Sequence, residues 1–237
     1  MLDTETRREL QQRFYPLLYE RVFAPMRAAL EGLLQDGGTV LDAGCGGGTW
    51  LLQPYRSQLQ IVGTDIWLPG QVQDIPLVLS DLSHAPFSDC TFDLIICYNV
   101  IEHMRQPNCV FAEFARMLKL GGVLALKTPS LWAPLVVLSR VTPHALHREL
   151  KERAAGADES DVFPTYYQCN TPGRLEQCLH AAGFRREKLF LVDQTYEFLT
   201  FSRLAYGLGL LYSRMIQAGS LRWLGTGIAG IYLKAVP

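Results

Sequence analysis

Charge of one sign is missing from this chain. Its 22 lysines and arginines are matched by 23 aspartates and glutamates over 237 residues, a formal net charge of −1. Without a basic excess there is no footprint for nucleic acid, and without an acidic excess there is no solvating tail. None of the six cysteines (Cys45, Cys90, Cys97, Cys109, Cys169, Cys178) forms a CxxC pair. Free thiols in a reducing cytosol are the simplest reading. No uncharged apolar run reaches the roughly 18 residues of a spanning helix. The opening Met1-Leu-Asp-Thr-Glu-Thr-Arg-Arg is charged and holds no apolar leader core, so a cytoplasmic protein is expected. Repeats, low-complexity tracts and a Tyr-x-x-x-Lys pair are absent as well. What is present, 49% hydrophobic and 19% charged residues, suits one folded α/β domain.

Apolar residues recur at helical spacing from Thr4 to Leu34, and Pro16 and Pro25 predict a break into two or three pieces. Short apolar runs then read as strands at Thr39–Asp42, Ile61–Asp65, Leu77–Asp81, Phe92–Cys97 and Val123–Lys127. A helix over 108–118 presents Val110, Phe111, Phe114, Met117 and Leu118 on one face. Thr171-Pro172 opens another helix that Gly183 stops, and strands follow at Phe190–Asp193 and Gly227–Val236. The expectation is a Rossmann-like, seven-stranded, mostly parallel sheet with helices on both faces and an antiparallel last strand. Within one domain over 1–237, we expect a helical cap over 1–36, a cofactor-binding half over 38–128, an insertion or lid over 129–171, and a C-terminal half over 172–237 with an apolar helical insertion.

The decisive feature follows the first strand. Val40-Leu-Asp-Ala-Gly-Cys-Gly-Gly-Gly48 ends a buried strand in an acid and then supplies glycines at 44, 46, 47 and 48. Glycine permits a tight turn and a close approach of ligand to backbone, and the first loop of a doubly wound sheet is where nucleotide cofactors sit. A dinucleotide loop and a plain tight turn are rival readings. The spacing Asp-x-Gly-x-Gly-x-Gly resembles motif I of the class I methyltransferases. Asp65, about 20 residues on, stands where an acid can accept both ribose hydroxyls, which fits NAD as well as S-adenosylmethionine. Ser80-Asp81-Leu82, then Phe92-Asp-Leu-Ile-Ile-Cys-Tyr-Asn-Val-Ile-Glu-His103, then Leu118-Lys-Leu-Gly-Gly-Val123 continue the family's order of motifs over about residues 38 to 128.

The resemblance implies an enzyme that carries a methyl group from S-adenosylmethionine to an O or N atom of a small acceptor: a natural product, glycan, quinone or lipid-like molecule. It implies cofactor contacts from Asp42, Gly44, Cys45, Gly46, Asp65, Ile66, Asp81, Leu82, Tyr98 and His103. Tyr15 and Tyr19 are candidates to cover the cofactor. One branch of the family binds magnesium through Glu-x-x-Glu-His; here the triplet is Asn99, Glu102, His103, one carboxylate short, so no metal is expected. His144, His147 and Tyr166 are candidates on the acceptor side, where an imidazole near neutral pH can act as a base. The alternatives are an NAD(P)-dependent oxidoreductase and a non-catalytic cofactor-binding regulatory protein. Residues 196–226 are long and apolar for a connection. They read as core helices, as a peripheral membrane or lipid-substrate contact, or as a homodimer face.

Overall fold

The computed structural model describes residues 4–14, 18–34, 37–46, 51–68, 75–134, 136–137, 163–193, 195, 199, 202–217, 219 and 221–235. By internal contacts the chain falls into two units. One comprises 24–128, 165–190 and 229–237; the other comprises 1–23, 129–164 and 191–228.

The first unit carries most of a seven-stranded sheet. Its strands are β1 (Thr39–Ala43), β2 (Gln60–Asp65), β3 (Leu77–Leu79), β4 (Phe92–Tyr98), β5 (Leu118–Pro129), β6 (Phe184–Val192) and β7 (Gly227–Lys234). Their order is β3-β2-β1-β4-β5-β7-β6. Parallel ladders join β1 to β2 and β4, β2 to β3, and β4 to β5; the last strand runs antiparallel. The continuous apolar runs of β1 and β4 have one physical cause. Val40, Leu41, Leu94 and Ile95 are all fully buried, as expected of strands covered on both faces. Strand order reverses between β1 and β4, the switch point beside which ligands bind at the carboxyl ends of the strands.

Helix α1 spans Thr4–Phe14, α2 Leu18–Leu33, α3 Pro107–Met117 and α4 Pro172–Ala181. Proline opens both α3 and α4, where a missing N–H costs nothing. Thr171 caps α4 by accepting the Arg174 N–H at 3.4 Å, and Gly183, at φ 85°, lies just past its end. Pro16, where a break is expected, lies outside the described residues; at Pro25 there is no break, and α2 runs through it. Burial of Phe23, Met26 and Leu30 along that helix offsets the one donor that proline removes.

Two strands exceed their sequence outlines. β6 begins at Phe184 rather than 190, because its first half carries exposed Arg185, Arg186, Glu187 and Lys188. Charge of this kind suits the edge of a sheet and hides the strand pattern. β5 begins at Leu118. Phe92 pairs with Leu118 but Leu94 with Val123, so the Gly121-Gly122 turn is a bulge inside the strand.

In the second unit, α5 spans Arg203–Gln217. It buries Ala205, Tyr206, Gly209, Ser213 and Ile216, and Leu10, Phe14 and Leu210 pack against Tyr206. A Cβ on Gly209 would stand 3.2 Å from Leu199 and Thr195 side-chain carbons, so glycine allows this close approach. The buried Asp193 carboxylate accepts the Thr195 N–H at 2.9 Å and the hydroxyls of Thr195 and Ser213. Asp193 thereby ties the end of β6 to α5. The expected lid falls largely outside the described residues, which omit 138–162 and with them His144 and His147; Tyr15 is outside them too.

Candidate cofactor site

The carboxyl ends of β1–β4 carry most of the cofactor-side residues that the sequence singled out. After β1 the chain turns at Gly44, φ 80°, and Gly46, φ 53°. The turn is pinned to β2, because the Gly44 and Cys45 N–H groups donate to Thr64 O at 2.8 and 3.1 Å. Gly44 is needed on a second count. A Cβ there would lie 2.2 Å from Val100 Cγ2, inside van der Waals contact.

Asp65 closes this turn from the tip of β2. Its Oδ2 accepts the Gly46 N–H at 2.8 Å and its Oδ1 accepts the Trp67 N–H at 3.1 Å. Each oxygen keeps a further lone pair for a ligand hydroxyl. Ile66 and Trp67 beside it are exposed. Asp42 is buried at the end of β1, and its carboxyl is raised from 3.8 to about 7, first by burial and then by the charge of Asp65. Cys45 is buried between the two acids, and its thiol is pushed up to about 12, chiefly by burial. It stays a protonated, unreactive side chain.

Asp81 follows β3. Its Oδ1 accepts the Ser83 N–H and hydroxyl, both at 2.8 Å, and these bonds hold the carboxyl below its ordinary range. It is therefore ionised and exposed, with Leu82 buried next to it. Asp81 also caps the turn Leu82–His84.

At the end of β4 the chain passes through Tyr98 into Asn99, which adopts a left-handed φ of 56°. Lys127, buried on β5, donates from Nζ to Asn99 Oδ1 at 2.6 Å and lies 4.9 Å from the centre of the Tyr98 ring. The 3-10 turn Ile101–His103 then buries Glu102, while His103 stays partly exposed. The Glu102 carboxylate accepts the Thr128 hydroxyl at 3.0 Å, and Thr128 in turn accepts the Asn170 amide at 2.5 Å. Glu102's backbone carbonyl accepts the Tyr166 and Tyr167 N–H groups at 2.7 and 3.1 Å. Tyr166 is further held by Arg105, whose Nε donates to the phenol at 2.6 Å and whose guanidinium lies 5.0 Å from the ring centre.

Thus Asp42, Gly44, Cys45, Gly46, Asp65, Ile66, Asp81, Leu82, Tyr98 and His103 all lie on the strand ends or in the turns that follow β1–β4. Tyr19 falls in α2, with its side chain outside the description. Sequence reasoning missed Val100, Arg105, Lys127, Thr128 and Asn170. A lysine closing the apolar run Val123-Leu-Ala-Leu-Lys127 was the one available signal, since a cation at the end of a buried strand needs a local partner.

Residues 11–189 match the model of a family described as a methyltransferase domain. The chain belongs to that family, within the class I S-adenosylmethionine-dependent superfamily. A methyltransferase homologue of Encephalitozoon cuniculi is 31% identical over 179 residues, covering 65% of this chain and 76% of that protein. A ubiquinone biosynthesis O-methyltransferase of Xanthomonas oryzae pv. oryzae is 31% identical over 130 residues, covering 47% of this chain and 54% of that one. Among solved structures, geranyl diphosphate C-methyltransferase from Streptomyces coelicolor A3(2), in complex with Mg2+, geranyl diphosphate and S-adenosyl-L-homocysteine, superposes with a TM-score of 0.53. It is 15% identical, over 91% of this chain and 80% of that one, and shares the fold. The superfamily's cofactor is S-adenosylmethionine.

Proposed function

We propose that this methyltransferase moves the methyl group of S-adenosylmethionine onto an O or N atom of a small-molecule acceptor. The observation that carries the reading is Asp65 bridging the glycine turn while keeping lone pairs free. A vicinal diol is the group that such a carboxylate recognises. The donor set fits the rest of the cofactor. Ionised Asp81 suits an exocyclic amine, Ile66 and Leu82 offer apolar surface for a purine, and buried Asp42 suits the cationic methionine end. Gly44 and Gly46 leave the backbone open to approach, Cys45 supplies a small neutral wall, and Tyr98 and His103 border the methionine side.

When bound, the cofactor supplies an electrophilic methyl whose in-line displacement needs orientation more than acid–base help. This chain's own part is to hold geometry. Lys127 fixes Asn99 and, through it, the turn after β4. The chain Glu102–Thr128–Asn170 fixes the base of the segment that presents Tyr166. Tyr166 takes its hydrogen bond from Arg105, so its own hydroxyl proton remains available to an acceptor oxygen. His144 and His147 stay as proposed bases for an acceptor that must lose a proton.

The relatives support a modest-sized acceptor: one is named for ubiquinone biosynthesis, and a fold neighbour binds geranyl diphosphate. Phenolic quinone precursors therefore lead the acceptor panel. The test is transfer of label from S-adenosyl-[methyl-14C]methionine to such phenols and to amines. Labelled O-methyl or N-methyl product supports the reading; cofactor binding with no product across the panel favours the non-catalytic alternative.

A further inference from the structure

Helix α5 has two apolar faces, and among the described residues only one of them is buried. The buried face is the one packed around Tyr206. The other carries Leu204, Leu208, Leu211 and Met215, which are 76%, 58%, 57% and 50% exposed. Their spacing of four, three and four residues lines them up in one stripe, roughly 60° wide at the 100° per residue of an α-helix. A soluble surface scatters single leucines; it seldom ranks four large apolar side chains along one helix. Just beyond the helix, the 3-10 turn Arg222–Leu224 adds Trp223, itself 50% exposed. That turn is fastened to α5 by the Tyr212 hydroxyl, which donates to Leu224 O at 2.6 Å.

The charge along this segment is of one sign. Arg203, Arg214 and Arg222 are all exposed, and no aspartate or glutamate occurs after Glu197. Arg203 and Arg214 lie within roughly 20° of each other around the helix and roughly 100° from the centre of the leucine stripe. That is where the guanidinium groups of an in-plane helix belong. The stripe points into the acyl boundary, and the long arginine side chains reach back to the head groups. An indole at the end of the same element suits the interfacial layer.

We propose that α5 and the Arg222–Leu224 turn form a docking surface for an anionic lipid bilayer. The helix lies in the interface and does not cross it; among the described residues no helix is long and apolar enough to span. A second copy of the chain fits less well. Antiparallel two-fold pairing of the stripe would bring the flanking arginines of both copies together with no carboxylate on the segment to neutralise them. The inference stands independently of the methyl-transfer reading.

The test is flotation of the purified full chain with phosphatidylglycerol–phosphatidylcholine vesicles and, in parallel, with pure phosphatidylcholine vesicles. Binding to the anionic vesicles alone, weakened by salt, is expected. Leu208→Glu/Leu211→Glu should abolish it, and Arg203→Glu/Arg214→Glu should weaken it at least about tenfold. Thermal unfolding should change little, because these side chains are exposed. On vesicle binding Trp emission should shift to the blue, a change lost in Trp223→Phe. Failure of the folded wild-type chain to float with anionic vesicles would overturn the proposal. So would flotation that ignores the leucine substitutions, or a solution dimer that those substitutions dissociate.

Discussion

The carboxylate of Asp65, at the tip of β2, accepts the backbone N–H of Gly46 at 2.8 Å, 19 residues away in sequence. One side chain thereby shapes the glycine turn. Asp65→Ala should lower affinity for S-adenosylhomocysteine by about 100-fold, the scale of two hydrogen bonds to a charged group. Asp65→Asn should lose less, because its oxygen still accepts one bond. Calorimetric titration of the three proteins measures the difference; equal affinities would remove Asp65 from the site.

Asp42 should pull stability and binding in opposite directions. Its carboxyl is raised from 3.8 to about 7 by burial and by Asp65. The folded chain therefore keeps a proton that the unfolded chain gives up, and this group's contribution to stability falls as pH rises through that window. Asp42→Asn should stabilise the ligand-free protein at pH 8, by at most about 4 kcal/mol, with little gain at pH 4. Affinity for S-adenosylhomocysteine should rise about tenfold between pH 6 and pH 8 in the wild type as Asp42 ionises. The variant should bind more weakly and show no such slope. Denaturant unfolding and calorimetry at several pH values check both halves.

The two glycines of the turn should not be equivalent. Gly44→Ala meets both a φ of 80° and the Val100 side chain, whereas Gly46→Ala meets only its φ of 53°. The first should cost about 3 kcal/mol or more, the second about 1 kcal/mol. Urea unfolding of the two variants compares them directly.

Glu102 should behave as a structural acceptor. Its carboxylate already takes the Thr128 hydroxyl, and the ammonium of Lys127 already stands against Asn99 Oδ1. A divalent cation would have to displace that ammonium. Glu102→Ala should lose about 1–3 kcal/mol through the stranded Thr128–Asn170 pair, and Glu102→Gln less than half of that. Labelled methyl transfer should be unchanged by EDTA. A requirement for added magnesium, lost in both variants, would contradict this reading.

The sequence was most legible where one residue type answers one local demand. Buried parallel strands demand unbroken apolar runs, so β1, β2 and β4 lie within a residue of their expected bounds. The glycine turn and its acids were visible because a left-handed backbone and a carboxylate each narrow the choice of residue. Legibility ended where several elements meet. Glu102, Thr128 and Asn170 come from three segments, and only the folded sheet brings them together. Arg105 and Tyr166, 61 residues apart, are linked in the same way. The first half of β6 is hidden in the sequence because its residues are charged, and an edge strand owes its pairing to backbone bonds rather than to an apolar face.

The most direct test of the central claim is calorimetric titration of the wild-type chain with S-adenosylhomocysteine and, separately, with NAD. Binding of S-adenosylhomocysteine in the micromolar range, with no heat from NAD, is the predicted result. Absence of binding to S-adenosylhomocysteine, or preferential binding of NAD, would contradict the assignment of the Asp42–Gly46 turn and Asp65 to the methyl donor.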